Sequence, residues 1–382
     1  MSKQVMLLLI AFLIAALGLL AEFPHRDPVS VEPPEDSAFS NTLTSDEEGF
    51  ERAYEPRMFS FPDDFGPHKQ FRTEWWYFTG NLQAIGGRRF GYELTFFRFA
   101  LAPQKPASKS AWRTNQLYMA HLALTDVESR RFFADERFSR ASHNLAGADS
   151  GRYHVWLYDW TAEGQNEGGF PVRLCANSEE FALDLNLQTQ QAPVLQGDRG
   201  LSQKSPAAGN ASYYYSYPRI ATNGTVTVKD QEYQVMGESW MDREWSTSAL
   251  TKEQSGWDWF ALQLDDQSEL MFYRFRRKDG KPDLNSAGTW FQADRDGIRL
   301  SHQDVIIEIL DYWKSPHSKV TYPARWRLSV PGRGLTLDIT PMINDQELNL
   351  SYRYWEGAVS VQGRLSGKEI KGKGYVELTG YE

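Results

Sequence analysis

Trp259-Phe260-Ala261-Leu262-Gln263-Leu264, then Asp265-Asp266-Gln267-Ser268, then Leu270-Met271-Phe272-Tyr273-Arg274-Phe275 is the stretch that decides the fold. Two aromatic and aliphatic runs of strand length flank a short polar turn, and neither run has a helical period. The pattern repeats along the chain. Thr225 to Val228 and Tyr233 to Met236 flank a turn at Lys229 to Glu232. Arg325 to Val330 and Leu335 to Ile339 flank Pro331-Gly332-Arg333-Gly334, and Ala358 to Leu365 and Glu369 to Leu378 flank Ser366-Gly367-Lys368. Arg89 to Phe99 is a further run of the same kind, and glycine near such turns supplies the positive φ of tight hairpins. Many strands joined by short turns imply an all-β fold of sandwiches or closed barrels, and closure removes the exposed edges so many strands would leave.

Composition agrees. The chain has 382 residues, a net charge of −9, one cysteine and a 14% aromatic fraction. The aromatic content fits a β-rich fold or a protein for apolar ligands. A single cysteine excludes a disulfide framework and a cysteine-rich metal site. None of the seven histidines has metal-ligand spacing, so no metal site is expected. No phosphate-binding glycine loop, dinucleotide fingerprint or nucleophile elbow is present, and an acidic chain is a poor partner for nucleic acid.

The chain divides by composition. Val5 to Ala21 is seventeen apolar residues behind Lys3, which reads as a secretory signal or short membrane anchor over residues 1–21. Residues 22–50 hold four prolines and eight acids against Arg26, a linker or tether of charge −7. With Lys3 counted, the remaining 332 residues carry only −3, so the acidity says little about the ligand. Export follows as the expectation, either to the periplasm or to the outer face of the cytoplasmic membrane. The 332-residue body has room for two barrels. A polar stretch from Ala249 to Ser255 sets the expected boundary, giving domains 51–248 and 249–382. The Ser-, Ala- and Gly-rich stretch Leu201 to Ser212 reads as a loop within the first.

Two motifs stand out. One is Glu74-Trp75-Trp76-Tyr77, within Phe71 to Leu82; the other is Trp240-Met241-Asp242-Arg243-Glu244-Trp245. With Tyr214 to Arg219, Gly256 to Phe260 and Gly372 to Tyr381, they resemble the lipocalin-like family of carotenoid 1,2-hydratase (hydroxyneurosporene synthase) and the AttH-type proteins. The resemblance covers Arg57 to the C-terminus. It implies two tandem lipocalin-like antiparallel β-barrels, with an apolar ligand held in or between them.

Read from the residues, a strand through Trp240 to Glu244 puts Trp240, Asp242 and Glu244 on one face and Met241, Arg243 and Trp245 on the other. Two carboxyls beside an indole on an inward face must be paired, hydrogen-bonded or protonated. A carboxyl kept protonated at neutral pH is a general acid. Acid–base hydration of an isolated carbon–carbon double bond needs such an acid, aromatic faces for the cation and a base for water, and no cofactor. Asp242 is the candidate acid, with Glu244 or Glu74 as proton acceptor or tuning group. Trp75, Trp76, Tyr77, His121, Trp240, Trp245 and Trp257 are the candidate ligand-binding residues. The same acids also fit structural ion pairs, Asp242 and Glu244 with Arg243, Arg219 or Arg72, and Glu74 with Arg72. Two functions remain open: a hydratase-like enzyme for a lipid, isoprenoid or polyene, and a non-catalytic lipid carrier or accessory protein serving components of an ABC-type exporter. Its partners are then an apolar small molecule, those transporter components, and the membrane through the N-terminal tether.

Overall fold

The computed structural model describes residues 48–104, 110, 113–248, 250–292 and 295–382. The apolar segment 5–21 and all of the linker before Glu48 lie outside the described residues. The regular structure of the described chain is strand apart from two single-turn 3-10 helices at Asp63–Phe65 and Pro331–Arg333.

Two antiparallel sheets account for it. The first holds thirteen strands. Its early members are β1 (Thr73–Ala84), β2 (Arg89–Ala100), β3 (Gln116–Asp126) and β4 (Arg131–Arg140). Then come β5 (Ala146–Ala148), β6 (His154–Leu157), β7 (Trp160–Gly164), β8 (Val172–Asn177) and β9 (Phe181–Gln188). Two short strands, β10 (Val194–Leu195) and β11 (Leu201–Gln203), precede the long β12 (Ala211–Val228) and β13 (Gln231–Ser246). The order is β4-β3-β2-β1-β13-β12-β9-β8-β7-β6-β5, with β10 and β11 also on β12.

The second sheet holds ten strands. They are β14 (Gln254–Leu264), β15 (Ser268–Arg277), β16 (Ala287–Gln292), β17 (Arg295–Ser301), β18 (Ile306–Lys314), β19 (Thr321–Val330), β20 (Leu335–Pro341), β21 (Glu347–Asn349), β22 (Arg353–Leu365) and β23 (Lys368–Thr379). The order is β17-β16-β15-β14-β23-β22-β20-β19-β18, with β21 on β22.

The hairpins fall where the turn residues stand, but two turns are tighter than the sequence suggests. Gln231 and Glu232 already pair with Val228 and Thr227, so the β12–β13 turn is only Lys229-Asp230, with Lys229 at φ 55°. Lys368 pairs with Leu365, leaving Ser366 (φ 50°) and Gly367 (φ 84°) as a two-residue turn. In the Ser366-Gly367 turn, positive φ at both central residues matches the twist of the flanking strands. The stretch after Leu201 is part strand, since Leu201 to Gln203 pair with Tyr213 to Ala211.

Each sheet curls round an apolar interior as a barrel or half-barrel. Alternation along β1 and β13 sends Trp76, Phe78, Met241 and Trp245 into the first. Phe260, Leu262, Trp326 and Trp355 help fill the second. The opposite faces of the motif strands do not meet water: β1, β2, β12 and β13 pack against β14, β15, β22 and β23, burying a third apolar cluster that includes Tyr77, Tyr214, Trp240, Trp259 and Tyr375. Gly91 of β2 permits the closest approach, because a Cβ there would lie 2.4 Å from the Ala358 Cβ of β22. Polar ties cross the same contact. Asn81 Nδ2 donates to the Gly374 carbonyl at 3.0 Å, and Gln263 Nε2 donates to the Ser239 and Pro218 carbonyls.

Candidate active site between the two sheets

The two motifs are neighbours. β1 and β13 are antiparallel with Trp75 opposite Glu244 and Tyr77 opposite Asp242. The side chains of these four residues emerge on the face turned to the second sheet, where they line a cavity of about 80 Å³. Phe97, Tyr214 and Lys204 complete the wall of the first sheet. Trp257 and Trp259 of β14, Tyr273 and Phe275 of β15, Tyr354 of β22 and Glu377 of β23 form the wall of the second.

Asp242 is 3% exposed and makes no ion pair among the described residues; the Lys204 ammonium lies close enough to feel its charge but is paired with Glu244. Its hydrogen-bond partners are neutral donors: Ser216 Oγ at 2.5 Å and Trp240 Nε1 at 2.7 Å on Oδ1, and the Tyr214 hydroxyl on Oδ2. Burial penalises the carboxylate more than these donors favour it, and the Asp242 pKa rises to about 7. Trp259 Nε1 donates to the Tyr214 oxygen at 3.2 Å, so the hydrogen-bond chain runs from the second sheet to Asp242.

Glu244 has a different environment two residues on. It accepts from Ser212 and pairs with Lys204 at 2.7 Å, both side chains 7% exposed. Burial works against the Lys204 charge, but the Glu244 carboxylate, with Tyr273 and Asp242 adding to it, outweighs burial, and the ammonium is held above its ordinary value. Lys204 Nζ also lies 4.6 Å from the Tyr273 ring centroid, a cation–π contact. The two acids of the motif thus divide into a proton-holding Asp242 and a charge-paired Glu244.

The sequence analysis did not single out Glu377. It faces the cavity from the second sheet, with Trp257 Nε1 donating to it at 3.1 Å. Burial raises its carboxyl to about 7, with the nearby charges of Asp242 and Glu244 adding to the effect. Lys204 and Tyr214 were also not chosen. Tyr214 and Glu377 both belong to stretches quoted for the family resemblance, which was a usable signal; Lys204 offered none.

The other candidates lie elsewhere. Glu74 is on the opposite face of β1, fully buried in the first sheet's interior, where it pairs with Arg98 and with Arg243 Nη2 at 2.6 Å. Burial opposes its charge, but the two guanidinium groups hold its carboxyl well below the usual range. Trp76 and Trp245 share that interior, with the Arg243 guanidinium 3.7 Å from the Trp76 ring centroid and His68 stacked on Trp245 at 3.6 Å. His121 is fully buried at the sheet–sheet contact, its Nδ1 2.8 Å from the Tyr354 hydroxyl. Burial pushes its pKa to about 3, so it is neutral. Trp240 stands behind Asp242, edge-on to Trp259 at 6.2 Å.

These features define a class: two curled antiparallel sheets of lipocalin-like type, with an aromatic cavity between them that holds an unpaired buried acid. The family follows directly, since the AttH-like family model matches residues 52–381, and the chain belongs to that family. The AttH-type, lipocalin-like resemblance of the two motifs is met. A crystal structure of an AttH-type protein from Nitrosomonas europaea is similar over 85% of this chain and 98% of its own, at 34% identity and a TM-score of 0.76. The chain is 22% identical over 213 residues to kievitone hydratase of Fusarium solani subsp. phaseoli, an alignment spanning 54% of this chain and 59% of that protein. The crystal structure of kievitone hydratase from Nectria haematococca has the same fold, with 16% identity, a TM-score of 0.67, and coverage of 87% of this chain and 96% of that one. The fold is therefore hydratase-like as well as lipocalin-like.

Proposed function

We propose that this protein binds a long apolar molecule (a lipid, isoprenoid or polyene) between its two sheets and hydrates one of its carbon–carbon double bonds by acid–base catalysis. The observation that carries the reading is Asp242: a buried carboxyl with neutral donors only, held near neutrality, in the wall of an aromatic cavity. Protonated Asp242 gives its proton to one alkene carbon, and the other becomes a cation. Trp75, Tyr77, Trp257 and Trp259 present ring faces or edges around it, each well-placed face worth about 0.5–2 kcal/mol. Water adds to the cation. Its proton passes to a carboxylate, and Glu377 on the opposite wall is better placed than Glu244, whose charge Lys204 already occupies. Glu377 then releases that proton to solvent and Asp242 takes one up, which resets both acids, and the sum is one water added across one double bond.

The similarity to kievitone hydratase supports water addition as the chemistry, and the carotenoid 1,2-hydratase resemblance supports a polyene as its class of substrate. Export to the periplasm or the outer membrane face belongs to the same proposal. The test is native mass spectrometry with lipid extraction on protein purified from its own host. A bound polyene or isoprenoid accompanied by its hydrate supports the reading. A bound, chemically unaltered membrane lipid turns it toward a carrier serving an exporter.

A further inference from the structure

Beyond Tyr77 lies a second group of acids that the hydration steps leave unused. Glu356 of β22 and Glu93 of β2 are fully buried, one from each sheet. Neither makes an ion pair among the described residues. One Glu356 oxygen and both Glu93 oxygens have no hydrogen-bond partner. The titratable groups facing them are neutral or acidic from every packed strand: Tyr77 of β1, His121 of β3, Tyr354 of β22, and Tyr375 and Glu377 of β23. Two charged carboxylates in such a place would each go unpaired and would repel one another. Burial holds both carboxyls well above the usual range, with the charge of Glu377 adding to the effect on both and that of Glu93 to the effect on Glu356.

The consequence falls on Tyr77. Its hydroxyl is 2.6 Å from Glu356 Oε1, and its side chain lines the cavity. To a charged Glu356 the phenol O–H would donate; in a neutral Glu356 the acid O–H is the stronger donor of the two, and the same 2.6 Å bond then runs from Glu356 Oε1 to the phenol oxygen. A phenol oxygen that accepts this bond leaves its own hydrogen free for another acceptor.

We infer that Tyr77, backed by the Glu356–Glu93 pair, is a fixed hydrogen-bond donor for an uncharged oxygen of the bound ligand: a carbonyl, ether or hydroxyl. The inference rests on the cavity being the ligand site, and it narrows the ligand to an apolar chain bearing a neutral oxygen. A pure hydrocarbon leaves the donor unmet, and a carboxylate would face the acids around it.

Titration of the full-length protein with two probes tests this, with quenching of tryptophan fluorescence as the readout. One probe is an isoprenoid ketone such as geranylgeranylacetone; the other is a hydrocarbon of matched length. The wild type should bind the ketone about tenfold more tightly, the value of one net hydrogen bond. Tyr77→Phe should erase that preference. Glu356→Gln should keep it, because an amide N–H replaces the acid O–H, and should keep it to higher pH than the wild type does. Equal affinity for both probes in the wild type, or an undiminished preference in Tyr77→Phe, overturns the donor site and leaves hydration by Asp242 standing. Binding of neither probe overturns both readings. Asp242→Asn should leave the preference in place, which separates the two roles.

Discussion

Replacing Asp242 with Asn tests whether this residue holds a proton or a charge. The asparagine carbonyl can accept from Ser216 Oγ and Trp240 Nε1 as Oδ1 does now, and its amide can donate to the Tyr214 oxygen. It is therefore a close mimic of the protonated acid. The carboxyl rises from 3.8 to about 7 on folding. At about 1.36 kcal/mol per unit, that is about 4 kcal/mol. A group with a raised folded pKa contributes stability that is complete below its unfolded pKa and lost as pH rises through its folded one. The wild type should therefore lose about 2–3 kcal/mol relative to Asp242→Asn between about pH 5 and pH 8. The raised acids that do not feel Asp242 titrate alike in both proteins and cancel in the difference, while Glu377, which the Asp242 charge raises, adds to the wild type's loss at the higher pH. Urea denaturation at the two pH values, compared through midpoints at unchanged slope, gives the number. A difference that does not move with pH would refute the proton-holding role. A variant that loses more at the higher pH would mean that the native carboxyl is an ion-pair anion.

Other consequences can be checked alongside. If Asp242 is the acid, kcat/KM for hydration should fall about tenfold per pH unit above about 7, a limb read from a pH–rate profile. Lys204→Met should cost about 3–5 kcal/mol by stranding Glu244, and adding Glu244→Gln should recover most of it, as a double-mutant cycle in urea would show. Glu74→Gln should cost a similar amount by leaving Arg98 and Arg243 without their anion, while apolar-probe affinity of the folded fraction, read by fluorescence, is unchanged.

Half of the site was legible in the sequence because half of it is local. Alternation along one strand is enough to set Trp240, Asp242 and Glu244 on a common face, and that is where β13 carries them. The same parity separates Trp75 from Trp76, and Glu74 from Tyr77, across β1. The four adjacent motif residues thus serve two compartments, the first sheet's interior and the cavity. What alternation does not encode is which outward face meets which. Glu377, Glu356 and Trp259 reach the cavity region through the packing of β22, β23 and β14 on the first sheet; Glu377 and Trp259 lie in quoted stretches, but nothing local says which face of the first sheet they meet. Lys204 comes from a stretch whose Ser, Ala and Gly content reads as loop, and only its pairing beside β12 explains its burial. The distinction between Asp242 and Glu244 has the same origin: the motif presents two similar acids, and a distant lysine assigns the charge to one.

The most direct test of hydration is incubation of the protein with an acyclic polyene or isoprenoid in water enriched in heavy oxygen, followed by mass spectrometry of the extracted ligand. The account expects a product one water heavier that carries the label, formed by the wild type and absent with Asp242→Asn although that variant still binds the probe. Recovery of unchanged ligand from wild-type protein saturated with it, or equal product from Asp242→Asn, would contradict the account.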